Sequence, residues 1–187
     1  MNIILASNSP RRTEILSSIN ITHLVIPSNC EEVVEDGLKP YEVVESLSYQ
    51  KAYDVFSKYP EDIVIGADTI VVVDDIILGK PKDKNDAIKM LNMISGRCHE
   101  VITGVSIISN DKTITFHEVT KVYVKKITLE EIEEYISNEN VYDKAGSYAI
   151  QGIFAKYIDS FEGEYNNVVG LPINRLQKEL EGYKDEI

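Results

Sequence analysis

Cysteine is scarce in this chain of 187 residues, which contains only Cys30 and Cys98. Two cysteines are too few for a disulfide framework, and this usage is typical of a reducing cytosol. Long apolar runs are also missing, because no stretch reaches the roughly 20 residues that a membrane-spanning helix needs. Residues 1–6 are apolar but lack the basic segment and the length of a signal peptide. We therefore expect a cytoplasmic protein that does not engage a membrane.

Positive charge is in short supply as well. The chain carries 19 Lys and Arg against 31 Asp and Glu, which gives a net charge of −12. This balance argues against a nucleic-acid polymer as partner, because its phosphates require a basic face. A small polyanion is still compatible, since a local cluster of basic side chains attracts one even in an acidic protein.

Several familiar catalytic motifs are absent. The pair Gly79-Lys80 does not complete a P-loop, because Asp74 stands where the first glycine is required. The chain has no Gly-x-Gly-x-x-Gly and no His-Glu-x-x-His, and Ser7 and Ser9 lack the Gly-x-Ser-x-Gly elbow. The three histidines show no metal-ligand spacing. Zinc and serine-hydrolase chemistry are therefore not indicated.

What the chain does contain is a dense β-branched run over 63–73, which predicts a strand buried on both faces. One carboxylate, Asp68, interrupts it. A lone carboxylate in apolar surroundings is costly unless a cation, a metal or several donors meet it. Gly66 and Ala67 leave room there for the close approach of another backbone or of a ligand.

The remaining pattern alternates strands and helices, which predicts a mixed α/β fold with hairpins and crossovers. Further strands are predicted over 2–6, 23–27, 76–78, 100–109, 113–126 and 154–161. Helices are predicted after Ser9, Lys39, Asp83 and Thr128 and near Pro172.

Four basic residues fall near the ends or on the inner faces of these elements. Arg11 and Arg12 open the first helix, where they predict either an anion site or a capped helix with solvated arginines. Lys51 lies on the apolar stripe of the second helix, where a lysine either extends to solvent or reaches a buried anion. Lys80 lies between a strand end and a helix start, where active-site loops collect.

A buried carboxylate combined with these cations suits phosphate chemistry. Cations offset phosphate charge, and a carboxylate can bind a divalent ion or remove a proton from water. A structural ion pair between Asp68 and one lysine explains part of the pattern equally well, and the residues alone leave both readings open.

Seven short motifs occur in order along essentially the whole chain, and together they resemble the Maf family of nucleoside triphosphate pyrophosphatases, also called septum formation inhibitors. The motifs are Ser7-Asn8-Ser9-Pro10-Arg11-Arg12, Gly66-Ala67-Asp68-Thr69, Gly79-Lys80-Pro81, Ser95-Gly96-Arg97, Thr103-Gly104-Val105, Ala145-Gly146 with Ile150-Gln151-Gly152, and Asn167-Val168-Val169-Gly170-Leu171-Pro172.

This resemblance implies a single domain over 1–187 with a long, mixed, twisted sheet flanked by helices around a deep cleft, as in inosine triphosphate pyrophosphatases. It implies hydrolysis of a nucleoside triphosphate to the monophosphate and pyrophosphate with a divalent cation, Mg²⁺ or Mn²⁺. It also makes a homodimer a reasonable expectation.

The resemblance assigns roles by matching motif. Asp68 resembles the proton acceptor that activates water. The residues that resemble ligands of the triphosphate are Ser7, Arg11, Arg12, Lys51 and Lys80. Beside Asp68, the resemblance implies an acidic metal ligand at Glu31 or Glu32, and we favour Glu31.

The resemblance also bears on specificity, because branches of the family differ at the positions of Arg11, Thr69 and Gln151. This combination resembles the branch that acts on dTTP and UTP, whereas the 7-methyl-GTP branch has a tryptophan after the proline and a glutamate in place of the glutamine. A glutamine amide can pair with the O4 and N3–H edge of a pyrimidine as donor and acceptor. Modified pyrimidine triphosphates are also compatible.

Two other functions stay open. A nucleotide-binding regulator of septum formation that acts by protein contact is supported only by the family's second name. The other is a purine-directed pyrophosphatase. Gln151, the residue expected to contact the base, discriminates between these two specificities.

Overall fold

The computed structural model describes residues 1–183 as a mixed α/β fold. The strands are β1 (Ile3–Leu5), β2 (Leu24–Val25), β3 (Ile63–Val73), β4 (Ile76–Leu78), β5 (Cys98–Ile108), β6 (Thr113–Val124) and β7 (Ile158–Glu162). The α-helices are α1 (Pro10–Ser18), α2 (Pro40–Phe56), α3 (Lys84–Ile94), α4 (Leu129–Asn138), α5 (Tyr165–Val169) and α6 (Ile173–Leu180). Within residues 1–183, no helix combines the length and the apolar character needed to cross a membrane.

The seven strands form one sheet in the order β2-β1-β3-β5-β6-β7, and β4 pairs with β3. Strand β1 is parallel to both β2 and β3, whereas β4 is antiparallel to β3 and β7 is antiparallel to β6. The predicted mixed sheet with hairpins and crossovers is therefore confirmed. The deep cleft stays a prediction.

Strand β3 has the bounds that its β-branched run predicts. Nine of its eleven residues are buried, and the two accessible ones are Asp68 and Thr69. The strand ends at the predicted turn, where Asp74 and Asp75 have φ values of 50° and 62°. Consecutive left-handed residues match the twist of a tight hairpin, and aspartate tolerates that conformation.

Local capping signals set the starts of α3 and α4 as predicted. The Asp83 side chain accepts a hydrogen bond from the Asp86 backbone N–H at 2.9 Å. At α4, Thr128 and Glu131 each accept from the other's backbone N–H, which satisfies two donors that the helix leaves unpaired. Ser9 occupies the N-cap position of α1, but its side chain makes no capping bond there.

The strand predicted over 154–161 is wrong in its first half. Residues Gly152–Tyr157 form a 3₁₀ helix, and β7 begins only at Ile158. Phe154 and Tyr157 lie three residues apart, which is one turn of a 3₁₀ helix, so both rings reach the same apolar cluster. Their ring centroids are 5.4 Å apart, and both side chains are buried.

The chain divides into two compact units, and each has its own buried cluster. The first unit comprises residues 1–68, 103–118 and, as far as described, the segment from Gly170 onward. Its core includes Ile4, Ala6, Ala52, Val55, Val64 and Ile108. The second unit comprises Thr69–Ile102 and Val119–Val169. Its aromatic cluster consists of Tyr135, Tyr148, Phe154 and Tyr157. The single domain over 1–187 stays a prediction.

Candidate active site

The helix α2 lies directly on the backbone of β3 at Gly66. A Cβ atom at Gly66 would fall 2.3 Å from the Ser48 carbonyl oxygen and 2.7 Å from the Ala52 nitrogen. The space left by Gly66 is therefore filled by helix backbone and does not receive a ligand. Ala67 is buried as well. The missing side chain thus serves to bring α2 close to the strand.

This close approach brings Lys51 of α2 to Asp68 of β3. Asp68 shares a face with Gly66, because side chains two apart on a strand point the same way. The Lys51 Nζ lies 2.5 Å from the Asp68 Oδ1, and the two side chains retain 17% and 14% of their exposure. Of the two predicted behaviours of Lys51, the structure shows contact with a carboxylate. The pair remains accessible because neither side chain is fully enclosed.

A second carboxylate reaches the same lysine from the loop before α2. The Glu32 Oε1 lies 3.1 Å from the Lys51 Nζ. Gln50 fixes the adjacent loop residue, since its side chain accepts from the Val33 N–H at 3.0 Å and donates to the Val33 carbonyl at 2.7 Å. Glu31, which the resemblance favoured, and Glu32 are both exposed, and Glu32 is the one that contacts Lys51. No periodic pattern separates two adjacent glutamates in an irregular loop, so the sequence held no signal for this choice.

Arg12 is fixed by two hydrogen bonds within the first unit. Its Nε donates to the Gly170 carbonyl oxygen at 2.8 Å, and its Nη1 donates to the Ser7 Oγ at 3.2 Å. Burial lowers the pKa of Arg12, the negative charge of Asp68 opposes that shift, and the positive charge of Arg11 adds to it. The guanidinium stays charged because arginine is not deprotonated in proteins. These contacts tie Arg12 to the protein, and the anion site at the start of α1 stays a prediction.

The first unit therefore holds Ser7 and a cluster of three cations and two carboxylates, in which Lys51 contacts both carboxylates and the arginines interact electrostatically. The members of the charged cluster are Arg11, Arg12, Lys51, Glu32 and Asp68. Cations outnumber carboxylates here, although the whole chain has a net charge of −12. Such a local excess of positive charge attracts a polyanion.

The other predicted site residues belong to the second unit. Thr69 follows Asp68 on β3 and is partly exposed, whereas Lys80 and Gln151 are exposed. The segments that carry Lys80 and Gln151 are joined, because the Gly146 N–H donates to the Gly79 carbonyl oxygen at 3.0 Å. The motif residues that precede Gln151 therefore touch the loop of Lys80.

The carboxylates of the first unit have the chemistry of a Mg²⁺ or Mn²⁺ site. Among residues 1–183, no group of three or more His, Cys, Asp or Glu side chains lies close enough to enclose an ion. Mg²⁺ in nucleotide enzymes commonly binds one or two carboxylates and takes its other ligands from water and the substrate's phosphates. Asp68 and Glu32 meet at Lys51, so they supply a donor set of this kind.

Comparisons with known proteins show the family of this chain. The family model described as "Maf-like protein" matches residues 2–183. A dTTP/UTP pyrophosphatase of Clostridioides difficile strain 630 is 45% identical over 185 residues, covering 98% of this chain and 95% of the relative. The dTTP/UTP pyrophosphatase of Bacillus cytotoxicus is 48% identical over 180 residues, covering 96% and 94%. That of Ruminiclostridium cellulolyticum is 46% identical over 189 residues, covering 100% and 98%.

A solved structure resembles the fold at much lower identity. The Staphylococcus aureus Ham1 protein superposes with a TM-score of 0.56 and 17% sequence identity, over 98% of this chain and 100% of that chain. Sequence identity this low supports a shared fold and nothing about the reaction.

Proposed function

This chain belongs to the family of Maf-like proteins, and we propose that it hydrolyses dTTP and UTP to the nucleoside monophosphate and pyrophosphate. The observation that carries this proposal is the contact between Lys51 and Asp68 at one of the two accessible positions of β3. The names of its relatives favour neither a purine-directed pyrophosphatase nor a septum regulator acting by contact.

Asp68 is the general base in the proposed reaction. Its carboxylate accepts a proton from water, and the water oxygen forms a bond to the α-phosphorus. The bond from the α-phosphorus to the oxygen that bridges to the β-phosphorus breaks, and pyrophosphate leaves. Lys51 holds the carboxylate in place through the 2.5 Å contact and offsets phosphate charge.

The triphosphate is bound by Ser7 and by the cations Arg11, Arg12, Lys51 and Lys80. The Ser7 hydroxyl oxygen already accepts from the Arg12 side chain and from the Ser9 backbone N–H. Both of its acceptor positions are thereby used, so its own proton is directed to a phosphate oxygen. Arg12 is held by Gly170 and Ser7, so little of its side-chain freedom is lost on binding.

A divalent cation, Mg²⁺ or Mn²⁺, would be held by Asp68 with one of the two neighbouring glutamates. It would supply positive charge to the phosphate oxygens when bound. We favour Glu32 over Glu31 as the second ligand, because Glu32 contacts Lys51 beside Asp68. All four of these side chains belong to the first unit.

Pyrimidine selectivity is assigned to Gln151, with Thr69 and Arg11 as the other specificity positions. The exposed amide of Gln151 can accept from N3–H and donate to O4 of thymine or uracil, modified pyrimidines included. A 4-amino pyrimidine presents the opposite pattern on this edge, which the amide matches only after it turns over.

We further propose a cytoplasmic homodimer that binds no nucleic-acid polymer. Both cysteines are free thiols, which suits a reducing compartment. The net charge of −12 disfavours contact with a polymeric polyanion. Light scattering of the purified chain and a DNA-binding titration at low salt test the two statements.

A nucleotide panel with Mg²⁺ or Mn²⁺ tests the activity. We expect pyrophosphate release from dTTP and UTP at rates above those for GTP, ATP and CTP. If the protein releases pyrophosphate from none of the pyrimidine triphosphates, the proposal is overturned. Equal rates on GTP and UTP instead support the purine-tolerant alternative.

A further inference from the structure

A buried polar pair in the second unit has no part in the proposed chemistry. The His99 Nε2 lies 2.6 Å from the Tyr148 hydroxyl, and the residues are 2% and 5% exposed. Within the described chain, the His99 Nδ1 has no hydrogen-bond partner. The bond to Tyr148 is therefore the polar contact that holds this ring. A buried hydrogen bond between residues 49 positions apart fixes one backbone segment against another.

The segment that follows Tyr148 is short and carries Gln151, which is exposed, after Ile150, which is buried. On the far side of Gln151, Phe154 packs against Tyr148 with ring centroids 4.7 Å apart. Both rings are buried, whereas Gln151 and Gly152 between them are exposed. Residues 149–153 thus form an arch whose two ends are held together by the packed rings of Tyr148 and Phe154.

A second set of contacts holds the chain just before Tyr148. Gly146 and Ser147 both have left-handed backbones, with φ values of 65° and 67°. The Ser147 hydroxyl lies 3.2 Å from the Met90 Sδ, and a Cβ at Gly146 would fall 2.9 Å from the nearest Val71 side-chain atom. A left-handed serine persists only where its surroundings impose the conformation, which is common next to functional segments.

We propose that the His99–Tyr148 hydrogen bond is a positioning device for pyrimidine recognition, because it sets the place of the Gln151 arch. This assignment rests on the proposed function, since Gln151 is taken as the residue that reads the base. His99 and Tyr148 are positioning residues that act through Gln151. No sequence pattern marked the pair, because a histidine without ligand spacing is typical of an ordinary core residue.

Tyr148→Phe removes the hydroxyl and keeps the ring that packs on Phe154. We expect KM for dTTP to rise about tenfold, the effect of one lost hydrogen bond, while kcat changes less than twofold. The constants for GTP, followed as substrate or as competing inhibitor, are expected to stay unchanged. Loss of folded enzyme would instead lower kcat for both nucleotides and leave KM alone.

Two further variants separate the bond from general damage. His99→Gln keeps a side chain that can hydrogen-bond to Tyr148 and is expected to retain more selectivity than His99→Leu. The double variant His99→Leu/Tyr148→Phe is expected to be no less selective than the worse single variant, since both remove the same bond. Tyr142→Phe, at an exposed tyrosine of the same unit, is the matched control.

Hydrogen exchange distinguishes failure of this proposal from failure of the proposed function. Amides of residues 144–153 are expected to exchange faster in Tyr148→Phe than in Tyr142→Phe, with no substrate present. An active wild type whose selectivity and exchange are unchanged by Tyr148→Phe overturns the positioning role. If the wild-type enzyme is inactive on pyrimidine triphosphates, the proposed function is overturned. If hydrogen exchange is also unchanged in Tyr148→Phe, the positioning role of the His99–Tyr148 bond is overturned as well.

Discussion

Each of the two compact units places a polar pair beside a strand, but the pairs differ in charge and exposure. In the first unit, Lys51 and Asp68 are both ionisable with opposite charges and stay partly accessible. In the second, His99 and Tyr148 are almost completely buried. Burial lowers the pKa of His99 to about 4 and raises the pKa of Tyr148, so this pair is neutral around pH 7.

The difference follows from the cost of removing charge from water. A fully buried ion pair loses more hydration than its attraction returns unless further bonds compensate. An accessible charged pair can exchange partners with phosphate, metal and water, which suits a reacting group. A neutral buried pair cannot do so and instead fixes backbone segments. The same physical rule therefore explains why the accessible pair is charged and the buried pair is neutral.

Asp68→Asn is the most severe change to the charged pair. The amide keeps the shape and still accepts from Lys51 but cannot take a proton from water. We expect kcat to fall about 1,000-fold with the unfolding free energy little changed. Pyrophosphate release and urea unfolding measure the two effects. Asp36→Asn, at an exposed loop carboxylate of the same unit, is the control and should retain full activity.

Because burial lowers the pKa of His99, we expect the unfolding free energy to depend on pH. Between pH 6.5 and 4 the unfolded chain binds a proton at His99 and the folded chain does not. The unfolding free energy therefore falls as pH falls through this window, by about 3 kcal/mol in total, and the contribution is fully present above pH 6.5.

His99→Gln removes this contribution and leaves every carboxylate in place. Urea unfolding of both proteins at pH 7 and pH 4.5 isolates it, because the other titrations are common to the two. If the unfolding free energies of the wild type and of His99→Gln change in parallel with pH, His99 has the same pKa in the folded and unfolded chains.

Lys51→Met sharpens the comparison from the cationic side. It removes the positive charge that Lys51 offers to the phosphates, and it leaves Asp68 and Glu32 without their shared partner. We expect kcat/KM to fall about 100-fold. Lys58→Met removes an exposed lysine that pairs with Asp54, and such surface pairs contribute about 1 kcal/mol at most. Equal losses in the two variants would contradict a specific role for Lys51.

Gly66→Ala tests how the charged pair is positioned. The added methyl group meets the backbone of α2 at Ser48 and Ala52, so the helix must shift. We expect a loss of about 2 kcal/mol in the free energy of unfolding, with lower activity because Lys51 moves with α2. Gly79→Ala adds a methyl group where no atom lies within 4 Å and should leave the unfolding free energy nearly unchanged.

Much of the fold was predictable because its signals are local. The β-branched run predicted β3 residue for residue, and Asp83 and Thr128 marked helix starts through hydrogen bonds that span three residues. The prediction failed over 154–157, where apolar residues three apart mark a 3₁₀ helix and were read as a loose strand.

The sequence by itself determined β3 with its single carboxylate, the starts of α3 and α4, and the family to which its motifs belong. Tertiary structure alone decided that α2 fills the space at Gly66, that Lys51 reaches Asp68, and that Glu32 rather than Glu31 contacts Lys51. It also created the His99–Tyr148 bond across 49 residues. Capping and strand formation depend on neighbouring residues, whereas these contacts depend on how distant segments pack, which no local pattern encodes.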